Sequence, residues 1–251
     1  MAKTTPQHWQ FATFLLSGFI MGYFMAQANP AALFGNSADS EENAKVIEVQ
    51  VGADGGGVVQ VPEEQEEEPS IIQVSADDDA VLGDLNAPIE IIEFSDYQCS
   101  YCQRFHLETF DDLVTNYVDT GKVKFVYRDY PLSFHAQAPL ASVSAYCAYE
   151  QDSFWEYHDV IFVNLSEWSG SAEADQLFVT YAADLGLDVE AFEACLGSSE
   201  SVNEVQNDLL DGLSYEVGAT PTFFINGQKL EGAQPYSVFE SVLDSILAEL
   251  E

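Results

Sequence analysis

Two cysteines, Cys99 and Cys102, are separated by two residues in this chain of 251 residues. Residues three apart lie on the same face of a helix, so the two sulfur atoms can meet in a disulfide. Cys99 stands where a helical pattern begins, and unpaired backbone N–H groups and the helix dipole favour a thiolate there. The types and spacing of these residues therefore favour redox chemistry.

The segments around the cysteines alternate between strand and helix patterns. Ile89–Ser95 is short, branched and apolar, which predicts a buried strand, and alternation over residues 122–129 predicts a second one. Between them, apolar residues from Cys99 to Val118 recur with helical spacing. A strand, a helix and a strand in this order predict a parallel strand pair with a right-handed crossover.

The rest of the chain returns from helix to strand. Residues from about 135 to 213 have helical periodicity throughout, and Ser201 with Glu204 predicts a capping box at the start of the last of these helices. Asn226-Gly227, between two strand-like runs, predicts a tight hairpin, followed by an amphipathic helix. The predicted fold class is α/β: a βαβ unit, a helical insertion and a ββα unit.

The charge is strongly unbalanced, with 43 acidic and 7 basic residues and a net charge of −36. A surface of this sign repels phosphate, so we expect no nucleic-acid partner and no anionic-membrane binding by the folded part. Adaptation to concentrated salt is one explanation for the acidity, because salt screens like charges from one another.

Residues 9–28 contain no formal charge, and their length suffices to cross a bilayer core of about 30 Å. Lys3 precedes this stretch, so we expect residues 1–8 to be cytoplasmic and the rest of a single-pass chain to be exported. The alternative is a signal peptide cleaved after Ala28, which would give a secreted protein. Gly18 and Gly22 form a helix-dimerisation pattern, but glycine is common in membrane helices and we expect a monomer.

Residues 29–75 have the composition of a flexible acidic linker that cannot bury a core. The folded domain is then expected over residues 76–251. A long linker has a clear use when its N-terminal end is fixed in a membrane. This favours a membrane anchor over a cleaved signal peptide.

Four ordered groups of residues carry a family resemblance. They are Gly83 and Ala87-Pro88 with the segment from Ile92 to Asp96 before the cysteines; Tyr127 to Leu132 with His135; Cys147-Ala148 with Phe154-Trp155 and Tyr157-His158; and the segment from Gly218 to Gly227. Together they resemble the exported DsbA-like thiol–disulfide oxidoreductases over residues 80–251. The resemblance implies a thioredoxin fold with an inserted helical domain and no cofactor.

The resemblance also implies roles for individual residues. Cys99 is expected to be the exposed attacking thiol, and Cys102 the less exposed thiol that resolves a mixed disulfide. Pro221 is expected to be cis and to lie beside the dithiol, leaving the backbone of Thr220 free to pair with an extended substrate. The alternative is an ordinary trans proline at the start of an edge strand.

Glu93 occupies the family's position for a buried acid beneath the dithiol. A carboxyl in an apolar strand has a raised pKa and can exchange a proton with Cys102, whereas a carboxylate at a solvated edge cannot. Asp96, Arg104 and His106 are weaker candidates: Arg104 is a possible support for the thiolate, and His106 is expected to be a helix-face residue.

The two residues between the cysteines depart from the DsbA pattern, because Ser100 and Tyr101 replace Pro-His. The missing histidine removes a donor to the thiolate, and Glu93 and Asp96 add negative charge nearby. Both effects raise the pKa of Cys99 relative to DsbA and make the disulfide a weaker oxidant. We expect a potential between those of strong oxidases and thioredoxin-like reductases.

Cys147 and Cys195 are the remaining cysteines, and an exported compartment favours a disulfide between them. The alternative is two buried free cysteines. A zinc site is disfavoured because there is no second Cys-x-x-Cys, so no metal is expected.

The leading hypothesis is a membrane-tethered enzyme that introduces disulfides into cysteine-containing exported proteins. The resemblance implies a quinone-linked membrane partner that reoxidises it. A reductase or isomerase of the same fold is the nearer alternative, and a non-catalytic thioredoxin-fold binding module is the more distant one. A binding module needs neither Cys99 nor Cys102, so the presence of both argues against it.

Overall fold

The computed structural model describes residues 71–250. Four sequence predictions lie outside this range: the membrane segment 9–28, the Gly18 and Gly22 pattern within it, the cytoplasmic location of residues 1–8 and the linker up to residue 70. Within it, none of the helices has the length and apolar character needed to cross a bilayer.

One five-stranded sheet with the strand order β1-β3-β2-β4-β5 organises the fold. The strands are β1 (Val81–Leu82), β2 (Ile89–Ser95), β3 (Val123–Asp129), β4 (Thr222–Ile225) and β5 (Gln228–Glu231). β2 and β3 are parallel and the other neighbours are antiparallel. The predicted thioredoxin-like arrangement is confirmed. β1 was not predicted, because two residues are too short to show alternation.

The strand directions bring three loops to one edge of the sheet. The parallel strands β2 and β3 end at the same edge, and the antiparallel strand β4 begins there. The turn that holds Cys99, the loop after Asp129 and the loop that holds Pro221 therefore lie at a common edge. This edge is where the candidate site forms.

The helix that follows Cys99 alternates between α-helical and π-helical turns. It comprises α1 (Ser100–Phe105), a π-helical segment (His106–Phe110), α2 (Asp111–Leu113) and a second π-helical segment (Val114–Val118). Phe105 and Leu113 are buried against one sheet face, together with Phe239 of the closing helix α9 (Tyr236–Leu250). Apolar spacing predicts the helix but not its π-helical turns, which leave too small a change in periodicity to detect.

Six helices form the predicted insertion between β3 and β4. They are α3 (Ala138–Tyr149), α4 (Phe154–Val163), α5 (Leu165–Trp168), α6 (Ala174–Asp184), α7 (Val189–Leu196) and α8 (Ser199–Ser214). The large aromatic side chains Trp168, Phe178 and Phe192 are fully buried and fill the core of the insertion. The alanines of α3 are also buried, so neighbouring helices approach it closely.

The cap of α8 differs from the prediction. The hydroxyl of Ser198 accepts a hydrogen bond from the backbone N–H of Ser201 at 3.1 Å, so Ser198 is the N-cap and Ser201 lies inside the helix. The capping box predicted for Ser201 and Glu204 is therefore wrong. Ser201 is buried and donates its hydroxyl to the carbonyl of Cys195 at 2.8 Å, so it holds α8 against the end of α7.

Residues 71–75, which composition assigns to the linker, contact the sheet. The N–H of Ile72 donates to the carbonyl of Gly227 at 2.9 Å, and the carbonyl of Ser75 accepts a hydrogen bond from Arg128 at 3.0 Å. Ile72 and Val74 pack on the sheet face that α8 also covers. The folded unit therefore includes these five residues, because their alternating apolar side chains find a surface to bury against.

A fully buried arginine joins the sheet to α8. The guanidinium of Arg128 donates to Asp208 at 2.8 Å and to Asp211 at 3.0 Å, and it lies 2.9 Å from a carboxylate oxygen of Asp79. A buried charge is tolerated only when it is paired and hydrogen-bonded, so these contacts fix α8 and the segment before β1 on β3.

Candidate redox-active site

Asp96 shapes the turn that leads into the cysteines. Its backbone carbonyl accepts a hydrogen bond from the N–H of Cys99 at 3.0 Å. Its buried carboxylate accepts hydrogen bonds from the N–H groups of Gln98 and Leu132, both at 2.7 Å, and contacts the Nδ1 of His135 at 2.8 Å. Asp96 therefore ties the end of β2 to the loop after β3. The sequence assigned no such role to His135, although an aspartate ahead of a turn is a common backbone acceptor.

Cys99 is the N-cap residue of α1, with an extended backbone, and Cys102 lies in its first turn. The expectation that Cys99 is exposed is wrong: only 6% of its surface is accessible, while Cys102 is fully buried. The loop before β4 covers the first cysteine, and the carbonyl of Thr220 accepts a hydrogen bond from its thiol at 3.5 Å. Cys102 is nevertheless less accessible than Cys99, as predicted.

The two thiols have opposite acidities. The pKa of Cys99 falls to about 5 because the thiol of Cys102 donates a hydrogen bond to its thiolate. Thr220 and backbone N–H groups of the first turn add to the effect, while burial opposes it. Burial raises the pKa of Cys102 well above its usual value, and the negative charges of Cys99 and Glu93 raise it further. The site therefore holds one thiolate and one thiol at neutral pH.

The peptide bond between Thr220 and Pro221 is cis, as the resemblance implies. Two hydrogen bonds hold the segment. The hydroxyl of Thr222 donates to the carbonyl of Ala219 at 2.7 Å, and the N–H of Gly232 donates to the carbonyl of Pro221 at 2.8 Å. The hydroxyl of Thr220 is buried and has no hydrogen-bond partner within residues 71–250. It is thus available to donate to the Cys99 thiolate.

Glu93 lies in the middle of β2, between Tyr127 on β3 and Phe223 on β4. The residue is 2% exposed, so it is not a carboxylate at a solvated edge. Burial raises its pKa to about 8, a hydrogen bond from Ser95 lowers it, and the charge of Cys99 raises it. Glu93 is therefore mostly protonated near neutral pH and can both give and take a proton there.

Arg104 and His106 do not take part in this arrangement. The guanidinium of Arg104 donates to the carbonyl of Ala233 at 3.1 Å and lies 5.0 Å from the ring centre of Tyr101. Support for the thiolate by Arg104 is therefore not seen. His106 was expected on a helix face but is buried, because α4 packs over it. Tyr101 itself is 55% exposed and Ser100 is also exposed, so both residues that depart from the DsbA pattern lie at the surface.

Cys147 and Cys195 form a disulfide that joins α3 to α7, with a distance of 5.7 Å between their Cα atoms. The alternative of two free cysteines does not match this geometry. Cys99 and Cys102 are in the dithiol form. The cysteines thus divide into one pair at the sheet edge and one pair that crosslinks the insertion.

Comparison with known proteins gives this arrangement a family. The family model described as Thioredoxin matches residues 75–245. The chain belongs to this thioredoxin family. Among solved structures, it resembles alpha-DsbA1 of Wolbachia pipientis with a TM-score of 0.64 and 26% identity, over 71% of this chain and 97% of that one. The resemblance to DsbA proteins is therefore confirmed.

Two named relatives extend the comparison. A Rickettsia bellii protein, provisionally named a protein-disulfide oxidoreductase, is 27% identical over 175 residues, which are 69% of this chain and 66% of the relative. The Na(+)/H(+) antiporter NhaA of Herminiimonas arsenicoxydans is 32% identical over 167 residues, which are 66% of this chain. The chain spans only a quarter of that antiporter and just under two thirds of the Rickettsia protein. The name of the Rickettsia protein refers to disulfide chemistry, and the chain described here has a dithiol at its sheet edge.

Proposed function

We propose that this thioredoxin-family chain is an extracytoplasmic protein disulfide oxidase that acts on cysteine-containing exported proteins. The observation that carries the proposal is the contrast within the dithiol: the pKa of Cys99 is about 5, whereas that of buried Cys102 is raised. A stabilised thiolate favours the reduced form, so the corresponding disulfide readily accepts electrons.

The proposed reaction begins with the Cys99–Cys102 disulfide. A substrate thiolate attacks the sulfur of Cys99, a mixed disulfide forms, and Cys102 leaves as a thiolate. The second thiolate of the substrate then attacks the substrate sulfur that is bonded to Cys99 in the mixed disulfide. This step closes the substrate disulfide and releases Cys99 as a thiolate. Two electrons pass from the substrate dithiol to the chain, and no other oxidant is needed in this half-reaction.

Glu93 is proposed to supply the proton that Cys102 takes up when it leaves. Its pKa of about 8 leaves the carboxyl protonated at neutral pH, and the thiolate of a buried cysteine is a strong base. Thr220 and Pro221 are proposed to form the surface along which the substrate backbone lies, because Thr220 directly covers the thiol of Cys99.

The cellular setting is proposed from the N-terminal sequence. An uncleaved anchor at residues 9–28 would hold the catalytic domain on the outer side of the membrane, near exported substrates. The disulfide between Cys147 and Cys195 supports an oxidising compartment. A reduced oxidase needs an electron acceptor, and a quinone-linked membrane protein is the proposed one.

Net reduction or isomerisation of disulfides is the second candidate activity. It is favoured by the departure at Ser100 and Tyr101, and by a Cys99 pKa between the values of about 3.5 and about 7 typical of a strong oxidase and of thioredoxin. The same dithiol performs either reaction, and its potential relative to the partners decides the direction.

Disulfide transfer to a reduced peptide tests the proposal. The oxidised full-length chain is mixed with a peptide that carries two thiols, and peptide disulfide is quantified by mass spectrometry. We expect one disulfide per chain, none from Cys99→Ser, and full transfer from a control with Cys147→Ala and Cys195→Ala. Transfer that survives in Cys99→Ser would overturn the proposal. Insulin reduction with a supplied reductant tests the second candidate.

A further inference from the structure

Two histidines and an aspartate converge where the helix after Cys99 meets α4. His106 begins the first π-helical segment, and His158 and Asp159 are neighbours on α4. One ligand atom of each residue lies within 4.8 Å of those of the other two, and the Nε2 of His106 is 3.7 Å from the Oδ1 of Asp159. Single π-helical turns within helices occur frequently at functional sites.

The side chain of His106 is buried without being satisfied. The residue is 7% exposed, and its Nδ1 has no hydrogen-bond partner within the described part of the chain. Its Nε2 is too far from Asp159 for a hydrogen bond. The ring stacks on Phe162 at 5.0 Å between ring centres, so packing fixes its position. The ring is therefore fixed with a buried Nδ1 that makes no hydrogen bond, which is uncommon in folded proteins, and with its Nε2 directed at Asp159.

His158 is oriented from behind by Tyr97. The hydroxyl of Tyr97 lies 3.2 Å from the Nδ1 of His158, and both residues are buried. When the Nδ1–H of His158 donates to this hydroxyl, the Nε2 keeps a lone pair for a metal, and a hydrogen bond at the other ring nitrogen is how proteins orient histidines that bind metals.

The charges around the cluster suit a cation. Asp159 reaches the surface, with 59% of its side chain exposed, so an ion can enter from solvent. Asp111 and Glu156 are the acidic side chains whose charges act on Asp159. These two carboxylates thus direct a negative potential at Asp159, and no arginine or lysine pairs with Asp159 in residues 71–250. A divalent cation would relieve this repulsion.

We propose that His106, His158 and Asp159 bind a divalent transition metal of the zinc class, with solvent completing the coordination. Two imidazoles and one carboxylate are ligands that zinc accepts, whereas Mg²⁺ and Ca²⁺ prefer oxygen alone. Zinc–nitrogen bonds of about 2.0–2.1 Å place ligand atoms about 3.3 Å apart, so separations of up to 4.8 Å in the cluster must shorten by at most about 1.5 Å, shared between the two side chains. The ion would join the helix that carries the dithiol to the helical insertion.

This metal site does not depend on the proposed oxidase activity, and its test avoids the reactive cysteines. The untagged full-length chain is fully oxidised, so that neither thiol can bind metal, and is titrated with Zn²⁺ by calorimetry. Millimolar Mg²⁺ is present to occupy carboxylate clusters such as Asp79, Glu204 and Asp208. Metal content after desalting gives the stoichiometry.

We expect one Zn²⁺ per chain, an affinity at least tenfold weaker in Asp159→Asn, and an unchanged affinity in the matched control Asp175→Asn, whose carboxyl lies on α6 outside the cluster. Both substitutions are at exposed positions, so folding is not at risk. His106→Gln, checked for folding by circular dichroism, should lose binding as well. The proposal is overturned if the oxidised chain binds no stoichiometric Zn²⁺, or if Asp159→Asn binds it as tightly as the unmodified chain.

Discussion

Glu93 makes the stability of this protein depend on pH in a way that one substitution can isolate. Its carboxyl has a pKa of about 8 in the folded chain against an ordinary value of 4.5, and burial is the main cause. Because the folded pKa is raised, the folded state keeps a proton that the unfolded chain releases. The contribution of Glu93 is therefore most favourable below pH 4.5 and is lost as the pH rises towards 8.

The size of the effect follows from these two pKa values. Between about pH 5 and pH 8, proton linkage gives a loss of roughly 3 to 4 kcal/mol in the free energy of unfolding. Glu93→Gln keeps the shape and the hydrogen-bonding capacity but does not titrate. Between these pH values, we therefore expect the free energy of unfolding of Glu93→Gln to fall by roughly 3 to 4 kcal/mol less than that of the unmodified chain.

Urea unfolding of the oxidised full-length chain at several pH values measures the effect, since both disulfides remain closed throughout. Glu90→Gln is the matched control: it lies on the same strand, is partly exposed and pairs with Lys124 at 2.8 Å. A surface pair of this kind contributes at most about 1 kcal/mol. Equal losses of stability in Glu93→Gln and the unmodified chain would show that Glu93 does not release a proton between these pH values on unfolding.

Three further predictions concern the dithiol, the buried arginine and the second disulfide. Equilibration with glutathione should give the Cys99–Cys102 pair a potential between roughly −270 and −120 mV, the values typical of thioredoxin and of a strong oxidase, and a value beyond either limit would contradict the inference from the thiol pKa. Arg128→Met should destabilise the chain by about 3–5 kcal/mol in urea unfolding, because it leaves buried carboxylates unpaired. Asp77 is an exposed partner 3.8 Å from the guanidinium of Arg128, so Asp77→Asn should lower the free energy of unfolding by less than about 1 kcal/mol. Equal losses in Asp77→Asn and Arg128→Met would argue against burial as the cause. Replacing Cys147 and Cys195 by alanine should cost about 4 kcal/mol, since the disulfide closes a loop with a sequence separation of 48, and an unchanged unfolding midpoint would count against this value.

Most of the fold could be predicted because its signals are local. Asn226 and Gly227 both have positive φ, as the hairpin signal requires, and β4 and β5 flank them as expected. The hairpin depends on the conformational preferences of these two residues, which the sequence displays directly.

The features that were missed depend on contacts between distant segments. The burial of Cys99 comes from a loop 121 residues away, and the burial of His106 comes from α4. Likewise, Asp96 was treated as a nearby charge, whereas its carboxylate is committed to His135 and to backbone N–H groups. Periodicity places a residue on a face of its own element but does not say what covers that face.

We infer that Cys99 is the reactive thiolate of a DsbA-like dithiol and that Cys102 is protected. Alkylation of the reduced full-length chain with iodoacetamide over a range of pH, with modified residues identified by mass spectrometry, measures both properties. We expect rapid modification of Cys99 with a midpoint near pH 5, and little modification of Cys102 below pH 9. Equal modification of both cysteines, or a midpoint for Cys99 near the value of about 8.5 for a free thiol, would contradict this inference.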